Sequence, residues 1–186
     1  MKMPRIRVHF SFFAFNALMF LLRDGILIMN FYTVCAVHEA GHIFAAVISG
    51  KRVVSADITG FGIHMKTQRS CLSPVGTELF ILLAGPGTNL LLYFLMQAVN
   101  CGGSFPVLNL AAALYNLLPY RQLDGGSVIA LFTSGSTSEA AAERLLTIIK
   151  LCFSALLMML VIRSGTAVLP LFIGSVILFI SDMRAR

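Results

Sequence analysis

The stretch VCAVHEAGHIFAAVIS, residues 34–49, places two histidines and a glutamate inside one of the most apolar runs of the chain. A charged side chain at the centre of a bilayer costs roughly 2.5–3.5 kcal/mol on insertion scales, so His38, Glu39 and His42 need a use that offsets it. On a helix His38 and His42 stand one turn apart on the same face. Two imidazoles at that spacing can bind one zinc ion, and Glu39 beside them reaches a water near the metal without being a ligand. Chance alone yields an HExxH on the order of twice in a thousand chains of this length. The plainer reading has both histidines bonded to neighbouring helices and Glu39 lining a water-filled cavity.

The rest of the chain is as apolar as this segment suggests. Of 186 residues, 58% are hydrophobic and 12% charged. A soluble domain of this length cannot hide that much apolar surface, which makes the class integral membrane and the lipid bilayer a partner. The net charge of +6 comes from basic residues scattered in ones and twos between apolar segments. That pattern marks topology and meets acidic lipid head groups; nucleic acid is not an expected partner. The four cysteines, Cys35, Cys71, Cys101 and Cys152, stand singly, with no disulfide framework expected. Cys35 shares the His38 face and reads as a small apolar filler. The start, MKMPRIRVHFSFFAFNALMFLL, has a basic front and an apolar core but no small-residue cleavage site, and reads as a retained signal-anchor helix.

Apolar segments recur near 9–22, 26–49, 75–99, 105–120, 145–162 and 166–181. They predict an all-α polytopic membrane protein of about six spans, five being the alternative count. With the N-terminus inside, the cytoplasmic side collects Lys2, Arg5, Arg7, Lys51, Arg52, Lys66, Arg69, Arg121, Arg184 and Arg186, with Arg144 and Lys150 snorkelling inward. The outside keeps Arg23 and Arg163, so both termini are expected in the cytoplasm. Residues 51–66, KRVVSADITGFGIHMK, alternate apolar and polar with a phase shift at Thr59-Gly60, and predict a short β-hairpin directly after the HExxH helix. A free edge of that hairpin could take an unwound substrate as an added strand, with Ile58 and Ile63 as clamp positions; the bland reading is a seal at the membrane surface. One membrane-embedded domain is expected over 1–186, with its core at about 26–130 and further transmembrane helices over 131–186.

Zinc wants a third protein ligand and an open position. The acidic candidates are Asp24, Asp57, Glu78, Asp124, Glu139, Glu143 and Asp182. The HExxH helix and the fourth apolar segment both end inside, and Gly125-Gly126 lets backbone pack closely around Asp124, which makes Asp124 the best third ligand. Pro86, flanked by Gly85 and Gly87, kinks its span or lets a neighbour approach. His64 and His9 have no partners at ligand spacing.

Three motifs stand in order: HEAGH (38–42), AGPGTN (84–89) and NLLPYRQLDGG (116–126). Together they resemble the HExxH, AGPxxN and NxxPxxxLDG motifs of the site-2 protease family of intramembrane zinc metalloproteases, over roughly residues 30 to 130. The compact layout is most similar to the sporulation branch that processes a sigma factor. Two departures are Tyr-Arg-Gln (120–122) where many relatives carry further prolines, and Ser127 where many have a basic residue. Neither touches an expected ligand. No PDZ insertion or C-terminal regulatory domain is expected.

The resemblance implies a multi-pass protein of a bacterial cell membrane that holds one Zn2+ per chain. It would cleave a membrane-tethered regulatory protein, such as a pro-sigma or anti-sigma factor, with a membrane regulatory protein as a further partner. Glu39 would be the catalytic general base, and Asn89 or Asn116 would donate to the tetrahedral oxyanion. For Asn89 a plain helix-to-helix hydrogen bond is the alternative. A pseudoprotease that binds membrane partners without cutting them is the second functional reading. A metal transporter is the third, disfavoured because the outer halves of the spans offer almost no polar path.

Overall fold

The computed structural model describes residues 5–8, 25–51, 53–59, 62–67, 74–133, 139–164 and 169–184. Within these, three strands, β1 (Arg5–Val8), β2 (Val53–Thr59) and β3 (Gly62–Thr67), accompany six helices: α1 (Gly25–Ile48), α2 (Val75–Ala98), α3 (Ser104–Asn116), α4 (Asp124–Thr133), α5 (Glu139–Ser164) and α6 (Leu169–Arg184). The chain divides into two compact units, Met1–Asn116 and Leu117–Arg186. The division falls inside the 26–130 stretch expected as the core.

In the first unit, α1 and α2 each run 24 residues. At 1.5 Å per residue that is about 36 Å, enough to cross about 30 Å of hydrocarbon. These two are the described helices long and apolar enough to span a membrane. Both are inside out by the standard of a soluble protein. The buried stripe of α1 holds Val34, His38, Gly41, His42, Ala45 and Ala46, and that of α2 holds Ile81, Gly85, Pro86 and Asn89. Meanwhile Ile26, Met29, Phe44 and Val47 on α1, and Phe80, Leu91, Phe94 and Leu95 on α2, stand exposed. Polar groups inward and large apolar groups outward is the arrangement that lipid favours.

Small residues let the two helices close. A Cβ added at Gly41 would lie 2.4 Å from Thr88 Oγ1 and 2.7 Å from the Ala84 carbonyl oxygen. Ala45, Ala46 and Ile81 form the apolar core beside that contact, with Ala84 packed against it. Lys51, just past α1, pairs with Glu78 in the first turn of α2, where the helix dipole also favours a carboxylate. Helix α3 joins the packing of α1 and α2, and Asn30 Nδ2 donates to Ser104 Oγ at 2.9 Å.

The three strands form one sheet in the order β1-β2-β3. β2 and β3 pair antiparallel, Ile58 facing Ile63 across the ladder. β1 adds to the other side of β2 in parallel, from Arg5↔Ser55 to Val8↔Ile58. Two expectations change here. Arg5–Val8, read as the basic front of a signal anchor, is a strand; its alternation Arg-Ile-Arg-Val is strand-like, but charge at an N-terminus dominated the reading. The anchor helix itself, expected over 9–22, lies outside the described residues. Ile58, expected at a free edge, sits on the central strand, because the parallel partner comes from a distant part of the chain.

In the second unit, α4 is a helix the apolar pattern did not announce. The run expected as one span over 105–120 stops at Asn116, because Pro119 disfavours helical backbone at the residue before it. A tight turn follows, with Tyr120 N–H bonded to the Leu118 carbonyl at 2.9 Å and Leu123 N–H to the Tyr120 carbonyl at 2.8 Å. Helices α5 and α6 pack together. Lys150, expected to snorkel to the surface, is instead 1% exposed and bonds Asp182, also 1% exposed, at 2.5 Å. Snorkelling needs open water within reach, whereas a buried carboxylate on the facing helix satisfies the ammonium locally.

Candidate metal centre

His38 and His42 are both buried on α1, and their Nε2 atoms lie 3.2 Å apart. Two nitrogens bound tetrahedrally to one zinc at 2.0–2.1 Å are separated by about 3.3 Å, so the pair has the spacing of shared ligands. The opposite ring nitrogens fix which atoms carry protons. His42 Nδ1 lies 2.7 Å from the Ile81 carbonyl oxygen. A carbonyl can only accept, so Nδ1 carries the hydrogen and Nε2 keeps its lone pair.

His38 Nδ1 lies 3.2 Å from the side-chain amide of Asn89, which is fully buried. With Nδ2 facing the ring, Asn89 donates, His38 carries its proton on Nε2 and donates to His42. Asn89 Oδ1 is then buried without a hydrogen-bond partner. Turning the amide over lets Oδ1 accept from His38 Nδ1–H and leaves both Nε2 lone pairs facing one point. The two ends of an amide are close to isosteric, so the turn costs little packing. The residues therefore fit a metal, with Ile81 and Asn89 as the outer partners that orient the two imidazoles.

Gly85 makes room for it. A Cβ there would lie 2.3 Å from His42 Nε2 and 2.8 Å from His38 Nε2. Only glycine leaves open the space against both lone pairs. Glu39 is half-buried on α1, one residue round the helix from His38. Asn116 ends α3 and its Nδ2 donates to the Ala112 carbonyl of its own helix at 3.0 Å, so that donor is engaged locally. Asp124 opens α4, half-buried, where the helix N-terminus favours a carboxylate. Close backbone packing shapes its setting: a Cβ at Gly125 would lie 2.1 Å from the Leu117 carbonyl oxygen, and one at Gly126 2.1 Å from that of Tyr120. Sequence reasoning named both histidines but missed Gly85 and Ile81. The glycine of AGPGTN was visible as a packing signal, whereas nothing in the sequence marks the Ile81 carbonyl.

No family model matches the chain. It is 28% identical over 184 residues to stage IV sporulation protein FB of Bacillus subtilis (strain 168), covering 95% of this chain and 62% of that protein. It is 31% identical over 103 residues to a Synechocystis protein named "Putative zinc metalloprotease sll0528", covering 50% of this chain and 27% of that one. A solved structure, the site-2 protease from Methanocaldococcus jannaschii, shares the fold with a TM-score of 0.69 at 18% identity, over 99% of this chain and 92% of that chain. The sequence similarities and the shared fold together support a member of the site-2 protease family. The chain spans less than two thirds of the length of either curated protein it matches.

Proposed function

We propose that the chain is an intramembrane zinc endopeptidase that cuts a membrane-tethered regulatory protein in or near its membrane segment. The observation that carries this reading is the buried pair His38 and His42, whose Nε2 atoms lie 3.2 Å apart against the space that Gly85 leaves open, with Asp124 as the proposed third ligand. Two imidazole nitrogens with one carboxylate oxygen would suit zinc with a position left open. Held by these residues, zinc would supply Lewis-acid polarisation of the scissile carbonyl and would lower the pKa of water at the site to about 7. Glu39 takes a proton from the attacking water and returns it to the leaving amine. Asn89 acts on His38 rather than on the oxyanion. Asn116 is the remaining amide candidate for the oxyanion, through the second hydrogen of Nδ2.

The similarity to a sporulation protein supports a sporulation setting, and we propose a pro-sigma or anti-sigma factor as substrate with a membrane regulatory protein as partner. We further propose a multi-pass protein of about six spans in a bacterial cell membrane, both termini cytoplasmic. The clamp moves to the outer edge of β3, where Ile63 lies, since β2 is paired on both sides.

The test is co-expression with candidate single-span substrates, comparing wild type with Glu39→Gln. Cleavage by the wild type and its loss in the variant is the expected result. Capture of substrates by both proteins with cleavage by neither would favour a binding protein that has kept the fold.

A further inference from the structure

The buried pair Lys150–Asp182 stands away from the histidines and needs its own explanation. Taking an ammonium and a carboxylate out of water usually costs as much as their attraction returns, so the pair is a poor stabilising device by itself. Asp182 Oδ1 is moreover buried with no hydrogen-bond partner among the described residues. What the pair does have is a position. Lys150 Nζ lies 5.7 Å from the ring centroid of Tyr120, a fully buried side chain. A cation over an aromatic face is attracted to it, most strongly when desolvated.

Tyr120 is the hub of the turn that precedes Asp124. Its carbonyl accepts from Leu123 N–H, and its carbonyl group lies flush against Gly126 in the first turn of α4. The next two residues also reach out to α5 and α6. Arg121 pairs with Glu143 of α5 at 2.9 Å, and Gln122 Nε2 donates to Ser181 Oγ of α6 at 3.0 Å. Three consecutive turn residues are thus held by the last two helices, and the centre of that hold is an ion pair joining those helices to each other.

We infer that Lys150 and Asp182, with Arg121 and Gln122, are positioning residues that brace the Tyr120 turn and thereby fix the Asp124 carboxylate for metal binding. Helices α5 and α6 then serve the metal site through the turn, without offering it a ligand. This rests on the proposed role of Asp124 as a zinc ligand. An oxygen ligand on a loose turn samples positions that do not reach the ion, so loosening the brace lowers affinity without removing any ligand.

The test uses the full chain in detergent, stripped with chelator and titrated with Co2+, reading affinity by chelator competition and coordination by the visible absorption spectrum. Asp124→Ala sets the reference for a site short of one ligand. Lys150→Met and Asp182→Asn are expected to weaken Co2+ binding about 10-fold, within the 10–100-fold range of outer-partner losses. Their spectra should move towards that of Asp124→Ala. The charge-reversed double Lys150→Asp/Asp182→Lys should recover most of the loss. Arg121→Ala/Gln122→Ala leaves no lone buried charge and should weaken binding in the same direction even if Lys150→Met fails to fold. Wild-type affinity and spectrum in that double variant would overturn the inference, as would a loss in Lys150→Met that charge reversal does not restore. An unchanged spectrum in Asp124→Ala itself would instead bring down the metal reading on which the brace depends.

Discussion

At Asn89 one amide decides which lone pairs the two histidines offer. Its fully buried position and 3.2 Å approach to His38 Nδ1 tie it to the ring rather than to a substrate carbonyl. Asn89→Ala should therefore lower metal affinity by about 10–100-fold, read by chelator competition. Asn89→Asp keeps an acceptor for His38 Nδ1–H and should retain most of that affinity, whereas an oxyanion donor would be lost in both variants with metal unaffected. Gly85 makes a steric prediction. Gly85→Ala places a methyl 2.3 Å from His42 Nε2, so the purified variant should carry a small fraction of wild-type zinc by elemental analysis. On the proposed mechanism Glu39→Gln should do the opposite, abolishing cleavage while zinc content stays at the wild-type level, because the glutamate would move protons without being a ligand.

Between elements, the contact of α1 with α2 depends on the absence of side chains. Gly41→Ala meets Thr88 Oγ1 and the Ala84 backbone at under 3 Å, and overpacking of this kind costs about 1–3 kcal/mol. The expected outcome is a lower thermal midpoint in detergent. Gly87→Ala, in the same helix but with nothing within 4 Å of its added Cβ, should be neutral or stabilising by up to about 1 kcal/mol. Equal midpoints for the two variants would refute the close contact. The sheet divides its strands in a similar way. Proline at Ile58 strikes the strand paired on both sides and should damage folding. Proline at Ile63 touches the outer strand and should cut turnover with zinc content kept, if substrate adds along β3.

For the whole molecule the testable statement is its orientation. On a background lacking the four native cysteines, new cysteines beside Arg23 and Arg163 should react with an impermeant reagent added outside, and ones beside Lys51 and Arg184 should not. The reverse pattern would put the metal site near the other membrane face. Sporulation as the setting predicts that a deletion strain arrests during spore formation and is rescued by wild type but not by Glu39→Gln.

The helix that carries HExxH and the hairpin after it were legible in the residues. These depend on short windows, where apolar periodicity, one-turn spacing and glycine-flanked turns carry their own physics. Segment ends were harder, and the 105–120 run hid a helix stop at Asn116 because Leu117 and Leu118 continue the apolar pattern that Pro119 breaks. What only the tertiary structure decided joins residues far apart in the chain. His42 meets the Ile81 carbonyl across 39 residues, His38 meets Asn89 across 51, and Lys150 meets Asp182 across 32. β1 pairs with β2 in parallel across about fifty residues. A buried polar group takes whichever partner the packing brings within hydrogen-bond distance. The sequence determines that such a partner is needed, and the fold determines which one it is.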